Sequence, residues 1–308
     1  MRKSTLQADV MLLLAAAIWG SGFVAQRLGM EHLGPFVFTA IRFAVGTLVL
    51  LPIIQFRGRR TGVQPDAQPR LNATLRTGVV LGAVLFGGAA LQQIGLVTTS
   101  AAKGGFITGL YVVCVPLIGL FLGQRAPIMT WLATILAVVG LYLLSVKGTL
   151  QLESGDLFML GGAVVWALHV VLVGHLSPRY DPIKLAAAQF TMTSVLACLA
   201  ALVLERNTTW PAVVDAGGAI LYSGVLSVGV AFTLQVVAQR QAPASHAAIL
   251  LSLEAVFAAL FGIVLLSETL SGRQVLGCAL MLAAMLLAQL RRKPAQPPAL
   301  QDGSIGPV

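Results

Sequence analysis

Asp9–Gly20 reads DVMLLLAAAIWG and Asp156–Ala167 reads DLFMLGGAVVWA, two apolar runs that carry their aspartate and their tryptophan at the same places, 147 residues apart. Each stays apolar for longer than a helix buried in a soluble core requires. The same offset carries Pro35 onto Pro182 and Phe43 onto Phe190. Further along the offset becomes 143, which sets Leu91-Gln92 on Leu234-Gln235, Lys103 on His246, and Leu110-Tyr111 on Leu253-Glu254. A correspondence that keeps its order through two whole halves is an internal duplication.

A membrane-crossing helix needs about 20 predominantly apolar residues. Working outward from the two quoted runs, the interruptions between apolar stretches predict spans over 9–29, 36–54, 77–97, 103–122, 128–146, 157–176, 183–204, 217–238, 245–266 and 272–289. Five fall in each half, so 1–147 is read as a first repeat and 148–290 as a second. An odd number of crossings makes the second half begin on the opposite side of the membrane. The expected fold is therefore an all-α integral membrane protein of ten transmembrane helices in two inverted five-helix repeats. The loop 55–76, polar, basic and proline-containing, is expected to be mobile, and 291–308, with four prolines, to be a disordered cytoplasmic tail.

Composition and charge agree with this reading. The chain is 57% hydrophobic and 10% charged, where soluble domains carry about a quarter charged residues. Its formal charge of +9 would suggest a nucleic-acid partner in a soluble protein, but the basic residues occupy short segments between spans and form no stripe with interleaved aromatics, so none is expected. With the N-terminus inside, 14 Lys and Arg lie on inner segments and 5 on outer ones, leaving Arg42 within the second span. That asymmetry puts both termini in the cytoplasm and the protein in the cytoplasmic (inner) membrane. Cys114, Cys198 and Cys278 stand singly in apolar runs, which indicates neither a disulfide framework nor a zinc site. Arg2 and Lys3 precede an apolar run that reaches Gly29 and is followed by further spans, so the first helix is read as retained rather than as a signal peptide.

Trp19-Gly-Ser-Gly-Phe23 in the first span, Pro35 followed by Ile41-Arg-Phe43, and Ser252-Leu-Glu-Ala-Val-Phe257 leading to Ser267-Glu-Thr-Leu270 and Gly277 resemble the two EamA-type halves of the drug/metabolite transporter superfamily. The likeness runs over nearly all of 9–289. It implies a ten-helix secondary transporter, often an exporter of amino acids or other metabolites, that works by alternating access. Two departures are visible: the first half has Arg125 where the second has Glu268, and the second has Gln189 where the first has Arg42. Equal contributions from the two halves are therefore not expected.

A charged group in the hydrocarbon core costs about 2.5–3.5 kcal/mol on the mildest scale, so mid-span polar residues are the candidates for a site. Glu254 is the carboxylate at mid-span depth; it is read as the proton- or ion-coupling residue, against a structural carboxylate paired with a neighbouring helix through Arg42 or a hydroxyl. Trp19 and Trp166 sit near mid-span although tryptophan prefers the interface, and as repeat mates they are expected to wall one central cavity, against packing on lipid or another helix. Tyr111, the mate of Glu254, and Gln92 and Gln235, mates of one another, are read as substrate-binding, with interhelical bonding as the bland alternative. His169, three residues after Trp166 on the same face, is a further substrate-binding candidate, though a lone helical histidine is more often a satisfied interhelical bonder. Arg42, seven residues into its span, reads as structural and within reach of the surface by snorkelling. Lys103 and His246 read as helix-end anchors.

These features predict a transporter of a small organic solute (amino acid, metabolite or drug-like compound), an exporter by the resemblance. The alternative is a membrane-embedded enzyme acting on a lipid or lipophilic substrate, which the sequence supplies with neither HExxH nor GxSxG nor paired carboxylates in a span. No P-loop is present, so an ATP-driven pump would require a separate ATPase subunit, of which none is evident, and no filter loop or charged ring suggests a channel. No cofactor or metal is expected; the expected partners are the small-molecule solute and membrane lipid, with a homodimer left open.

Overall fold

The computed structural model describes residues 3–60, 71–99, 101–123, 126–146, 153–266 and 271–289, the side chains of 3–4, 58–60, 101–103, 262–266 and 289 excepted. Among them every regular element is helical. The first half holds α1 (Lys3–Met30), α2 (Pro35–Arg60), α3 (Leu71–Thr98), α4 (Ala101–Gly109), α5 (Tyr111–Phe121) and α6 (Ile128–Ser145). The second holds α7 (Ser154–Leu176), α8 (Pro182–Leu204), α9 (Trp210–Asp215), α10 (Gly217–Leu221), a π-helical segment over Tyr222–Phe232, α11 (Thr233–Ala238), α12 (Ala244–Leu251), α13 (Glu254–Leu266) and α14 (Gly272–Gln289). Grouped into continuous rods, nine of these stretches among the described residues are long and apolar enough to cross a bilayer, and Gly272–Ala288 is a shorter apolar helix.

Large apolar side chains such as Leu48, Ile135, Leu157 and Leu202 point outward and are exposed, whereas alanines such as Ala15, Ala137, Ala167 and Ala247 fill the contacts between helices. Large side chains such as Phe38, Phe43, Phe190 and Leu81 are fully buried as well, but the small residues at helix contacts allow the close backbone approach that holds helices together in lipid.

The helices overrun the expected spans. α2 continues to Arg60 and α3 begins at Leu71, so most of the loop expected over 55–76 is helix; helical hydrogen bonding does not stop where the apolar run does, and Asn72, Ala73, Leu75 and Arg76 support a turn beyond the hydrocarbon. Residues 61–70, the tail 291–308, Arg125 and Glu268 lie outside the described residues.

Spans four and nine, expected as single rods, are each interrupted at mid-length. α4 stops at Gly109 and α5 resumes at Tyr111; α12 stops at Leu251 and α13 resumes at Glu254. Leu110 N and Leu253 N turn to carbonyls three residues back, Ile107 O at 3.2 Å and Leu250 O at 3.2 Å, a local tightening of the helix. Leu110 and Leu253 are mates at the offset of 143.

The halves interlock. α1 packs against α13 and the π segment, and α7 against α3, α4 and α5; α2 lies against α8 and the π segment, α8 against α2 and α3, and α6 along α14. Under the two offsets these contacts exchange with one another. At the rim, Glu205 at the end of α8 accepts from Phe36 N at 2.8 Å and Val37 N at 2.7 Å, which satisfies the free donors at the start of α2 and fixes the two helices end to end.

Candidate functional site

The break in span nine brings Glu254 to the first turn of α13, beside α1. Their contact runs through Gly20, where an added Cβ would lie 2.6 Å from Glu254 O and 2.8 Å from Ala258 N, so any side chain would drive the helices apart. Trp19, the preceding residue on α1, turns its indole onto Phe232 at a ring distance of 4.6 Å and donates from Nε1 to Ser227 O at 3.2 Å. Trp166 on α7 also stacks on Phe232, 5.7 Å away and 18° from parallel. Its indole rests over Gly88 of α3, where a Cβ would meet the ring at 3.1 Å.

These side chains wall a central cavity. Ten of its fourteen lining residues are five pairs of repeat mates: Trp19 with Trp166 and Phe23 with Val170 at the offset of 147, and Gln92 with Gln235, Thr108 with Leu251 and Tyr111 with Glu254 at 143. Gln26, Arg42, Ser227 and Phe232 complete it. About 50 Å³ is open to the centres of water-sized molecules, room for a few waters.

Some polar groups of the wall are spent on one another, across the two halves as well as within the first. Trp166 Nε1 donates to Gln92 Oε1 at 2.9 Å, Gln92 Nε2 to Gln26 Oε1 at 3.1 Å, and Gln26 Nε2 to Gly22 O at 3.4 Å. Gln235 donates to Gln239 Oε1 at 2.9 Å, but its own Oε1 has no partner. Tyr111 OH and Glu254 Oε1 are also buried without a partner. Glu254 therefore makes neither of the pairings weighed for it as a structural carboxylate: no bond to Arg42 or to a hydroxyl is formed among the described residues.

Six of the seven expected site residues, Trp19, Trp166, Tyr111, Gln92, Gln235 and Glu254, thus meet in one cavity. His169 stands behind the wall instead. It is fully buried, its Nε2 is 3.0 Å from Gln189 Oε1, and its ring meets Trp166 and Phe232 edge-on at 6.0 and 6.3 Å. Arg42 does not snorkel to the surface; it is 3% exposed and forms part of the cavity wall. His246 is not a surface anchor but is buried, with Nε2 2.8 Å from Asp9 Oδ1, joining α12 to α1. Lys103, its mate, has its side chain outside the described set. Phe232 was not foreseen, although its ring links Trp19, Trp166, Phe43 and Phe190. Among the described residues no three of His, Cys, Asp and Glu converge to hold a metal ion.

The family model for EamA-like transporters matches the chain twice, over 6–146 and 153–290. An "uncharacterized transporter" of Archaeoglobus fulgidus is 31% identical over 302 residues, covering 93% of this chain and 87% of that protein. The inner membrane transporter YedA of Escherichia coli is 26% identical, covering 93% and 94%. A protein of known crystal structure shares the fold with a TM-score of 0.75 at 22% identity, over 92% of this chain and 96% of that one.

Proposed function

The chain belongs to the EamA-like transporter family, and from that premise we propose that it is a secondary transporter which carries a small organic solute through the central cavity by alternating access, in the direction of export. It is a multi-pass membrane protein whose relatives are named as transporters. The observation that carries the finer reading is the pairing of cavity walls: five lining positions of one half are answered by their mates in the other. A cavity built on such an axis has equivalent exits toward the two membrane faces if the repeats are inverted, and rocking of one half on the other opens them in turn. On this reading α14 completes a tenth crossing and both termini are cytoplasmic. Trp19, Trp166, Tyr111, Gln92 and Gln235 hold the solute, His169 holds the wall behind them, and Glu254 exchanges a proton or competing cation.

The test is flux in sealed proteoliposomes containing the purified protein. Radiolabelled amino acids and hydrophobic cations are offered with and without an imposed pH gradient. The expected result is saturable, ATP-independent movement of at least one solute, accelerated by the gradient. Movement no faster than in empty liposomes for the whole panel, or release of a chemically altered product, would sink the reading. A reporter fused to the C-terminus is expected on the cytoplasmic side; an external reporter would overturn the topology.

A further inference from the structure

Arg42 is a buried cation that solute holding by the tryptophans and glutamines leaves unused. Its guanidinium carbon lies 5.6 Å from the ring centre of Phe38 and 5.2 Å from that of Phe43, residues one turn before it and directly after it on α2. Aromatic rings at this range attract the charge of a guanidinium. They do nothing for its edge, which carries five N–H donors. Nε is buried without an acceptor, and the guanidinium has neither a hydrogen-bond acceptor nor a carboxylate partner among the described residues. The mate of Arg42 is Gln189, whose Oε1 is engaged by His169 outside the cavity. The cavity whose wall also holds Trp19, Trp166 and Phe232 therefore has one cation among its lining residues, supplied by the first half, with its donor edge uncommitted.

We propose that Arg42 is the anion-binding group of this cavity, so that the solute is a small carboxylate, sulfonate or phosphonate whose apolar body lies against the tryptophans. A planar fork of donors fits a multi-oxygen anion better than a point charge does, and burying it unpaired is costly unless the ligand completes it. The proposal rests on the cavity being the solute site.

Thermal unfolding of the purified protein in detergent tests it, because a ligand that binds the folded state raises the midpoint. The probes are benzenesulfonate, its neutral isostere benzenesulfonamide, and benzylammonium. Benzenesulfonate is expected to raise the midpoint of the wild type and the other two are not. Arg42→Lys is expected to weaken the apparent affinity about tenfold and Arg42→Gln to abolish the shift. An equal shift from sulfonamide and sulfonate, an undiminished shift in Arg42→Gln, or no shift from sulfonate at millimolar concentration overturns the proposal. Should Arg42→Gln fail to fold, Arg42→Lys and the sulfonate-to-sulfonamide contrast in the wild type still decide. Counterflow of radiolabelled benzenesulfonate in proteoliposomes separates the two readings. A shift that depends on Arg42 without any flux keeps the anion site and removes transport, whereas flux of other solutes without dependence on Arg42 does the reverse.

Discussion

The two halves put the same positions around the cavity and fill them with different chemistry. Span four delivers the neutral phenol of Tyr111 where span nine delivers the carboxylate of Glu254. Span two delivers Arg42 where its counterpart turns Gln189 away toward His169. Span three is one unbroken helix over Leu71–Thr98, whereas its counterpart passes through a π segment that presents Ser227 and Phe232. Duplication thus supplied a symmetric frame, and divergence gave the cavity one cation from the first half and one carboxylate from the second. Under the proposed function, symmetry of the frame would serve motion and asymmetry of the lining would serve recognition.

The sharpest way to break this comparison is at the pair Tyr111 and Glu254. Glu254→Gln keeps the volume and removes the exchangeable charge, and flux is expected to lose its acceleration by a pH gradient, with assembly intact by size-exclusion chromatography. Tyr111→Phe at the mated position is expected to change it no more than a few-fold. Equal losses at both positions, or wild-type flux with unchanged pH dependence in Glu254→Gln, would return Glu254 to a packing role.

A second contrast lies in the close contact of α1 with α13. Gly20→Ala is expected to cost about 1–3 kcal/mol of stability, because the new methyl group meets backbone atoms that cannot rotate aside. The mated position already carries alanine, and Ala167→Gly is expected to cost about 1 kcal/mol or less through helix propensity alone. Thermal unfolding in detergent reads both; similar losses would mean that the two contacts are equivalent after all.

The smallest effect separates the two tryptophans. Trp166→Phe strips Gln92 Oε1 of its donor inside the cavity wall, while Trp19→Phe releases Ser227 O, a main-chain carbonyl still served by its own helix. The first variant is expected to be less stable than the second by about 1 kcal/mol.

The rods and the shared cavity could be read in the sequence because period and offset are linear quantities: the offset that pairs Trp19 with Trp166 also states which side chains share a depth. Direction around a helix axis is not linear in that sense. Arg42 reads as a snorkelling residue by depth, whereas its buried place beside Phe38 and Phe43, one turn before and one residue after it, is set by direction and not by depth. The interruptions at Leu110 and Ser252-Leu253 carry no proline or glycine at the second site, so local propensity could not announce them; tertiary packing against α1 and α7 imposes them. The π segment left one trace, Gly224 and Gly229 at a spacing of five, which α-helical reasoning passes over.

The pairing of α6 with α14 has a consequence for the lipid around the molecule. α6 has 18 residues, a length that reaches roughly 27 Å at 1.5 Å per residue, while α1 and α3 have 28 residues each. The hydrocarbon core is about 30 Å thick. Ile135 and Val139 are exposed on α6, which is bounded at both ends by non-helical residues, so hydrophobic mismatch is felt sooner on the α6 flank than along α1 and α3. Thick, sterol-like or long-chain bilayers penalise that flank, and short-chain lipids relieve it. The acyl-chain length of the reconstitution lipid thereby acts as a handle on one helix pair, independent of any side chain in the cavity.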